Sequence, residues 1–367
     1  MIWTILLFLL ILSVLVLGHE WGHYFAAKRM GMKVDEFGLG FPPRLWAWKR
    51  KDGMEVSLNM IPLGGFVKIK GESAEDDVAA TDSFASKSIP RRFVVLVAGV
   101  VMNLVMAWVI FTVGFWVGIP AVTDGDTAPS SSPIARGEFT VTNEGVTIFD
   151  VMKDSPAATA GMEIGDQVTS IDGVVYTESD AARLALAPGA THRVVLDRGG
   201  KEVDVDVTAS MIESLGHEAI GIELLKTGTV HFPWYQAPWR GMKQTVEGTV
   251  AIFVALGGLI ASIFSHNGVG AAVSGPVGIA VVTGQVAKMG FAHILQFAAM
   301  LSLNLAVLNV LPIPALDGGR VAFLFIEAIR RKKASVRFEG TVHAIGFALL
   351  MLLVVFVTFK DILGLVK

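Results

Sequence analysis

The chain has 367 residues, of which 53% are hydrophobic and only 17% are charged, and its formal net charge is −3. A soluble domain usually carries about 25% charged residues, so this composition, with a mean hydropathy of +0.59, indicates an integral membrane protein with some soluble mass. The segregated charge of the chain does not indicate nucleic-acid binding. Because the chain contains no cysteine, disulfides and thiolate metal ligands are excluded.

The first predicted element is a membrane span over residues 2–27. Residues 2–17 are almost wholly apolar. No basic segment precedes them and no small-residue cleavage site follows, so we expect a retained span and not a signal peptide. Towards its end, about 27 Å along a helix that crosses a core of about 30 Å, the span carries Gly18-His19-Glu20-Trp21-Gly22-His23-Tyr24.

This stretch contains the pattern H-E-x-x-H. On a helix His19 and His23 lie on one face, one turn apart, so their imidazoles can hold one zinc ion, and Glu20 can act as a general base on a metal-bound water. The pattern alone is weak evidence in a soluble helix. Ionisable side chains in a membrane span are costly and by default functional, which favours a metal site here. Such a site needs at least a third protein ligand.

The segment after the first span, residues 28–92, is basic. By the positive-inside rule it is cytoplasmic, which places the N-terminus outside. Residues 55–70 alternate in polarity on both sides of residues 62–65, which predicts a β-hairpin. An ordinary surface hairpin and an exposed edge that pairs with an extended peptide both remain open. Residues 93–118 form a second predicted span, in which Asn103 is expected to hold helices together.

Residues 121–230 differ from the rest because acidic residues outnumber basic ones. The segment opens with a linker rich in Gly, Ser and Pro over residues 124–132. Alternating apolar runs and turns follow, with a short helix predicted over residues 178–186 and a strand on each side of Gly199-Gly200. These patterns predict a compact α+β domain outside the cytoplasm.

Two short patterns in this domain resemble the PDZ domains of bacterial proteases. They are S-P-A-A-x-A-G-M at residues 155–162 and G-D-x-V-x-x-I-D-G at residues 165–173. The resemblance implies a groove that takes an extended chain or a C-terminus beside the strand near residues 146–151. The alternative is a domain that only plugs or spaces the membrane core.

Residues 237–265 are interpreted as a helix on the outer membrane interface, within a connecting segment over residues 231–290. The apolar part, residues 249–264, covers only about 24 Å. A crossing here would also place the cations that follow the next span outside, against the positive-inside rule.

A third span is predicted over residues 291–312, running inward, and a fourth over residues 341–359, leaving the C-terminus outside. The third leads into Asp317, which comes at the depth of His19 and His23, near the cytoplasmic face. Asp317 is therefore the predicted third ligand.

Together these motifs resemble the site-2 protease family of intramembrane zinc metalloproteases, nearest to its regulator-of-sigma-E branch. The resemblance rests on H-E-x-x-H in the first span, one PDZ domain between spans two and three, and N-x-x-P-x-P-x-L-D-G-G at residues 309–319. It implies one zinc ion bound by His19, His23 and Asp317, with Glu20 as the base. It also implies substrate-binding residues in a membrane-associated β-loop and beside the site, namely Pro62, Gly64, Gly65, Phe66, Asn304 and Asn309.

The predicted fold is a polytopic α-helical membrane protein with four transmembrane helices, a cytoplasmic-side membrane-associated β-hairpin and an inserted α+β PDZ domain. Its parts are residues 1–120, 121–230, 231–290 and 291–367. The resemblance implies a zinc endopeptidase of the bacterial inner membrane that cleaves single-span membrane proteins, such as trimmed anti-sigma factors or remnant signal peptides. The alternatives are a non-proteolytic membrane scaffold that binds exported peptides and a metal transporter.

Overall fold

A computed structural model describes residues 2–72, 80–122, 140–212, 215–264, 275–332 and 335–366. The predicted linker over residues 124–132 lies outside these ranges. The chain forms two compact units. Unit 1 comprises Met1–Ile110, Met242–Val282 and Ala298–Lys367, and unit 2 comprises Phe111–Gly241 and Thr283–Phe297.

The helices of the described chain are α1 Ile2–Arg29, α2 Ile89–Val117, α3 Pro156–Thr159, α4 Ser179–Ala185, α5 Ala237–Phe264, α6 Pro276–Met289, α7 Phe291–Val310, α8 Asp317–Arg330 and α9 Val336–Val366. The strands are β1 Val34–Lys49, β2 Glu55–Ile69, β3 Ile119–Val122, β4 Thr140–Val151, β5 Gln167–Ile171, β6 Thr191–Asp197, β7 Glu202–Thr208, β8 Ser210–Ile212, β9 His217–Ala219 and β10 Ile222–His231.

Five of these helices are long and apolar enough to cross a membrane. They are α1, α2, α5, α7 and α9. The four spans predicted from the sequence fall on α1, α2, α7 and α9. Because α5 begins at Ala237 and has 28 residues, it is about 42 Å long, so the expectation that this segment is too short to cross is wrong. Length and composition admit five crossings where four were predicted.

Helices α1 and α2 approach each other closely because α1 presents glycines to α2. A Cβ atom on Gly22 would lie 2.5 Å from the carbonyl oxygen of Ala98 and 2.9 Å from Cβ of Met102. A Cβ on Gly18 would overlap the side chain of Met106. Small residues spaced one turn apart let helix backbones pack at short distance within a membrane.

Strands β1 and β2 form a separate sheet, joined by a turn at residues 50–54. The predicted hairpin within residues 55–70 is wrong, because both of its arms pair with β1. Phe37 is the partner of both Val67 and Val56. An alternating pattern fixes which side chains share a face of a strand, but it does not identify the strand's partner.

Unit 2 contains a six-stranded sheet in the order β3-β10-β4-β5-β6-β7. The predicted short helix is present as α4, and the predicted strands on both sides of Gly199-Gly200 are β6 and β7, which pair antiparallel. The start of α3 is capped by Ser155, whose side chain accepts a hydrogen bond from the N–H of Ala158, with Pro156 in the first turn. The pattern at residues 155–162 therefore encodes a helix start.

A cavity of about 520 Å³ in unit 2 lies between α4 and residues 217–224, and Asp150 of β4 also lines it. Asp150 and Val151 are themselves paired with β10. The groove beside the strand near residues 146–151 stays a prediction. The sequence patterns identify strands, but the strand order that places α4 beside β10 depends on pairing between distant parts of the chain.

Candidate metal centre

The candidate metal centre is formed by His19 and His23 of α1 and by Asp317, the first residue of α8. The two Nε2 atoms are 3.2 Å apart, and each lies 3.2 Å from Oδ2 of Asp317. Both imidazoles are buried, and the Asp317 side chain is 21% exposed. Among the described residues this is the group of histidines and carboxylates whose spacing suits a metal ion.

The outer nitrogen of each imidazole contacts α2. Nδ1 of His23 donates to the backbone carbonyl of Val95 at 2.8 Å, so the neutral ring presents the lone pair of Nε2 to the site. Nδ1 of His19 lies 3.2 Å from Nδ2 of Asn103, whose Oδ1 is buried without a partner. A half-turn of the Asn103 amide pairs that oxygen with Nδ1–H of His19 and leaves Nε2 of His19 unprotonated as well.

Gly99 of α2 lies directly against the two imidazoles. A Cβ atom here would lie 2.8 Å from Nε2 of His19 and would overlap Nε2 of His23. Helix α2 can therefore support both rings from this side only because residue 99 has no side chain. A glycine inside a helix destabilises it by about 0.5–1 kcal/mol relative to alanine. Here glycine is needed because the two imidazoles leave no room for a methyl group.

The glycines after Asp317 allow the chain to fold back on the end of α7. A Cβ on Gly318 would overlap the carbonyl oxygen of Val310, and one on Gly319 would overlap that of Ile313. Any side chain at these two positions would push α8 away from the end of α7. The L-D-G-G sequence is thus the local reason that Asp317 reaches the imidazoles.

Two ion pairs hold α8 in place within unit 1. Arg92, at the start of α2, makes a bidentate pair with Glu327 of α8 at 3.0 and 2.5 Å, and both side chains are buried. Arg320 of α8 contacts Glu72. Removing one partner of a buried pair leaves an uncompensated charge, so the Arg92–Glu327 pair strongly disfavours any shift of α8 along α2.

Glu20 lies between the three metal-ligating candidates and β2. The backbone N–H of Val67 donates a hydrogen bond to its carboxylate. A Cβ on Gly65 would lie 3.3 Å from Cγ of Glu20 and 3.1 Å from the carbonyl oxygen of Gly38. Because residue 65 is glycine, β2 passes between β1 and the Glu20 turn of α1.

The other predicted substrate-binding residues of β2 lie in the same strand, on either side of Gly65. Gly64 has a φ of 150°, and its missing side chain leaves room for the ring of Phe41. The ring of Phe66 packs over Gly38. Pro62 falls in β2 as well. These residues shape the sheet next to Glu20.

The two predicted asparagines lie on α7. The side-chain amide of Asn304 donates to the carbonyl of Met300 at 2.9 Å, within its own helix. Asn309 lies in the last turn of α7, before the fold-back that leads to Asp317. The structure therefore brings His19, His23, Asp317, Glu20 and Gly65 together, whereas Asn304 is engaged with its own helix.

Sequence reasoning missed the residues of α2. The sequence assigned Asn103 to helix packing, and its backbone does contact another helix, since the hydroxyl of Ser302 in α7 donates to the Asn103 carbonyl at 2.8 Å. The side chain, however, is directed to His19. A polar side chain in a membrane span was the available signal for Asn103, whereas the apolar pattern of the span does not distinguish Gly99 from other glycines.

The donor set fits a zinc ion. Two imidazole nitrogens and a carboxylate oxygen are the ligands that zinc takes in a cysteine-free site. For ligands at about 2.0–2.2 Å from the metal, the edges of the coordination tetrahedron are about 3.3–3.6 Å, close to the 3.2 Å between each pair of ligand atoms. Oδ2 of Asp317 is buried and accepts no satisfactory hydrogen bond from the protein, which a cation between the three atoms would correct.

Comparison with known proteins places these residues in a family. The family model described as Peptidase family M50 matches residues 7–353. A putative zinc metalloprotease of Clostridium perfringens is 34% identical over 97% of both chains, and the zinc metalloprotease RasP of Shouchella clausii is 29% identical over 98% of both. The crystal structure of the PDZ domain of an SdrC-like protein from Listeria monocytogenes is 31% identical over 23% of this chain and 92% of that one, with a TM-score of 0.21.

Proposed function

The chain belongs to peptidase family M50, the site-2 protease family, and is a zinc metalloprotease of the membrane; on that premise we propose that it cleaves single-span membrane proteins in or near their transmembrane helix. The observation that carries the proposal is the position of the triad. His19, His23 and Asp317 converge at the end of α1, which is itself long and apolar enough to span a membrane. Family membership also disfavours the scaffold and transporter alternatives.

In the proposed reaction His19, His23 and Asp317 hold one zinc ion per chain. When bound, zinc supplies an activated water at neutral pH and polarises the scissile carbonyl. Glu20 accepts the proton of the attacking water and passes it to the leaving amine. The N–H of Val67 orients the Glu20 carboxylate.

Sheet β1–β2 is the proposed binding site for the substrate backbone. A helical substrate hides its peptide bonds in intrahelical hydrogen bonds, so it has to become extended before it can be cleaved. Pairing with a strand provides backbone hydrogen bonds for an extended chain. Residues 62–66 adjoin Glu20 through Gly65, so a chain paired there would lie next to the proposed base. Asn309 is retained as a candidate partner of the substrate backbone.

The proposed topology is four crossings in the bacterial inner membrane, with both termini and unit 2's sheet outside and the site near the cytoplasmic face. The triad supports it. Asp317 follows the end of α7 and meets His19 and His23 near the end of α1, so α7 and α1 run in the same direction. Helix α2 returns the chain to the side of the membrane on which α1 began, and α7 must start from that same side. The number of crossings between α2 and α7 is therefore even, so α5 cannot be the single crossing between them.

The cavity between α4 and residues 217–224 is the proposed site for an exported peptide or a C-terminus. It lies beside the start of β10 and is lined by both apolar and charged side chains. The substrates proposed from family resemblance are anti-sigma factors trimmed outside the membrane and remnant signal peptides.

The test is cleavage of a model single-span substrate in detergent, with zinc measured in the same preparations. We expect Glu20→Gln to retain zinc and to lose cleavage, while His23→Ala and Asp317→Asn lose zinc as well. Glu202→Gln, an exposed change in β7, is the matched control and should cleave like the wild type. Two results would contradict the proposal. One is cleavage by purified Glu20→Gln. The other is a zinc-bound wild type that cleaves no substrate, whatever the length of the substrate's outer domain.

A further inference from the structure

One edge of the β1–β2 sheet is both aromatic and basic and has no part in the proposed reaction. The rings of Trp46 and Trp48 lie 5.0 Å apart, and the two residues are 61% and 45% exposed. Lys49, Arg50 and Lys51 follow directly and are also exposed. We propose that this edge, residues 45–51, is a binding site for the headgroups of anionic phospholipids.

The edge is tied to the end of a candidate membrane span. Nζ of Lys28, in the last turn of α1, donates to Oδ2 of Asp52 at 3.1 Å, and α1 ends at Arg29. The turn that carries Lys51 therefore lies where a spanning helix leaves the hydrocarbon core. That is the level at which lipid headgroups are found.

The apolar part of the edge suits the boundary between headgroups and acyl chains. Tryptophan is enriched at both membrane–water interfaces because its ring is apolar and its N–H is polar. Large exposed apolar patches on a folded surface mark sites of association. The exposed apolar side chains on this part of the sheet are Leu45, Trp46, Trp48, Leu58, Met60 and Ile61.

The charges of the sheet select the ligand. Arg44 directly precedes residues 45–51. It pairs with both Glu36 and Glu55, at 2.7 and 3.1 Å, so these carboxylates neutralise its charge. Lys49 and Lys51 have no ion pair within the described part of the chain. Uncompensated cations next to interfacial tryptophans favour a headgroup with a net negative charge over a zwitterionic one, whose own cation offsets its phosphate.

The charge of Arg50 is also largely available. Its Nε lies 3.9 Å from Oδ1 of Asp52, the carboxylate that Lys28 already engages. Each Lys or Arg near an anionic membrane surface strengthens association about fivefold. Removal of Lys49 and Lys51 together is therefore expected to weaken headgroup binding about 30-fold.

The experiment is a lipid titration of the full-length protein in detergent, read by native mass spectrometry. Phosphatidylglycerol and phosphatidylcholine are titrated against the wild type, Lys49→Gln/Lys51→Gln, and the matched control Lys153→Gln/Lys201→Gln, which removes two exposed lysines from unit 2. We expect phosphatidylglycerol adducts on the wild type and the control, about 30-fold weaker on the first variant, and no such difference for phosphatidylcholine.

Two further arms make the result specific. Inorganic phosphate in excess should leave the phosphatidylglycerol adducts in place, because the tryptophans contact acyl chains that phosphate lacks. In nanodiscs, brominated phosphatidylglycerol should quench wild-type fluorescence more than that of Trp46→Phe/Trp48→Phe. Zinc content of each variant verifies its fold independently of lipid.

Three results would overturn the proposal. They are equal phosphatidylglycerol binding by the wild type and Lys49→Gln/Lys51→Gln, displacement by inorganic phosphate, and an equal loss in the control variant. If Lys49→Gln/Lys51→Gln fails to bind zinc, and so has not folded, the proposal is tested by the salt dependence of the wild type. Its phosphatidylglycerol affinity must fall as salt is raised if the site is electrostatic, and an affinity that is independent of salt refutes it.

Discussion

Replacing Gly99 by alanine tests whether α2 shapes the metal centre. The added methyl group would lie 2.6 Å from Cε1 and 2.8 Å from Nε2 of His19, and would overlap Nε2 of His23. Neither ring can move freely, since Val95 and Asn103 hold their outer nitrogens. Overpacking of this kind costs about 1–3 kcal/mol, which outweighs the gain of up to about 1 kcal/mol that alanine brings to a helix.

The expected result is a protein that folds but binds zinc poorly. Because the ligand atoms themselves are displaced, we expect zinc affinity to fall by at least the 10- to 100-fold typical of a lost supporting contact, and cleavage to fall with it. Gly114→Ala is the matched control in the same helix. Its new Cβ would lie 3.4 Å from Cδ1 of Ile119, an ordinary contact.

The assay measures zinc by mass spectrometry after competition with a chelator, together with thermal unfolding and cleavage of the model substrate. Gly114→Ala should match the wild type in zinc affinity and be equally or slightly more stable. Wild-type zinc affinity and cleavage in Gly99→Ala would refute the reasoning. So would equal losses in the two variants, because the effect would then belong to alanine in α2 and not to the imidazoles.

Two other predictions concern a supporting residue and the soluble sheet. Asn103→Leu removes the partner of His19 Nδ1 and should weaken zinc binding about 10- to 100-fold, whereas Asn103→Asp keeps an acceptor and should lose less; equal losses in a chelator competition would contradict the assigned role. In unit 2 the hydrogen bond between His192 and Asp172, at 2.7 Å, raises the pKa of the histidine and lowers that of the aspartate. The stabilisation linked to the histidine is fully present below its ordinary pKa of 6.5 and is lost as pH rises through the raised pKa. The stabilisation linked to the aspartate is fully present above its ordinary pKa of 3.8 and is lost as pH falls through the lowered pKa. His192→Gln should therefore lower the melting temperature most between about pH 4 and 6.5, and a loss independent of pH would contradict this.

The parts of the site that could be predicted are those encoded by local spacing. His19 and His23 converge because any helix places residues four apart on one face. Asp317 could be placed beside them because its depth along a predicted span matched theirs. Gly99 could not, since the need for glycine there arises from the approach of two imidazoles on another helix. Residues that act through a contact between helices leave no periodic signal in one sequence.

The β1–β2 sheet shows the same limit in another form. Alternation in residues 55–70 was recognised, but each arm of that segment pairs with β1, so the interpretation as a hairpin failed. Pairing partners depend on which distant strand can approach, and here Gly38 allows it by leaving room for Phe66. Strands β6 and β7 were predicted because the Gly199-Gly200 turn that joins them is a local signal.

A polar site at the end of a membrane helix requires that each buried polar group have a partner. Nδ1 of His23 has Val95, and Nδ1 of His19 has Asn103. The orphans of the described site are Oδ1 of Asn103 and Oδ2 of Asp317. One amide rotation satisfies the first, whereas no protein group satisfies the second. Since an unpaired buried carboxylate oxygen is costly, the same residues that would carry out the reaction are incomplete as a structure until a cation is bound. Metal binding should therefore stabilise the packing of α1, α2 and α8 against unfolding, as well as enable cleavage.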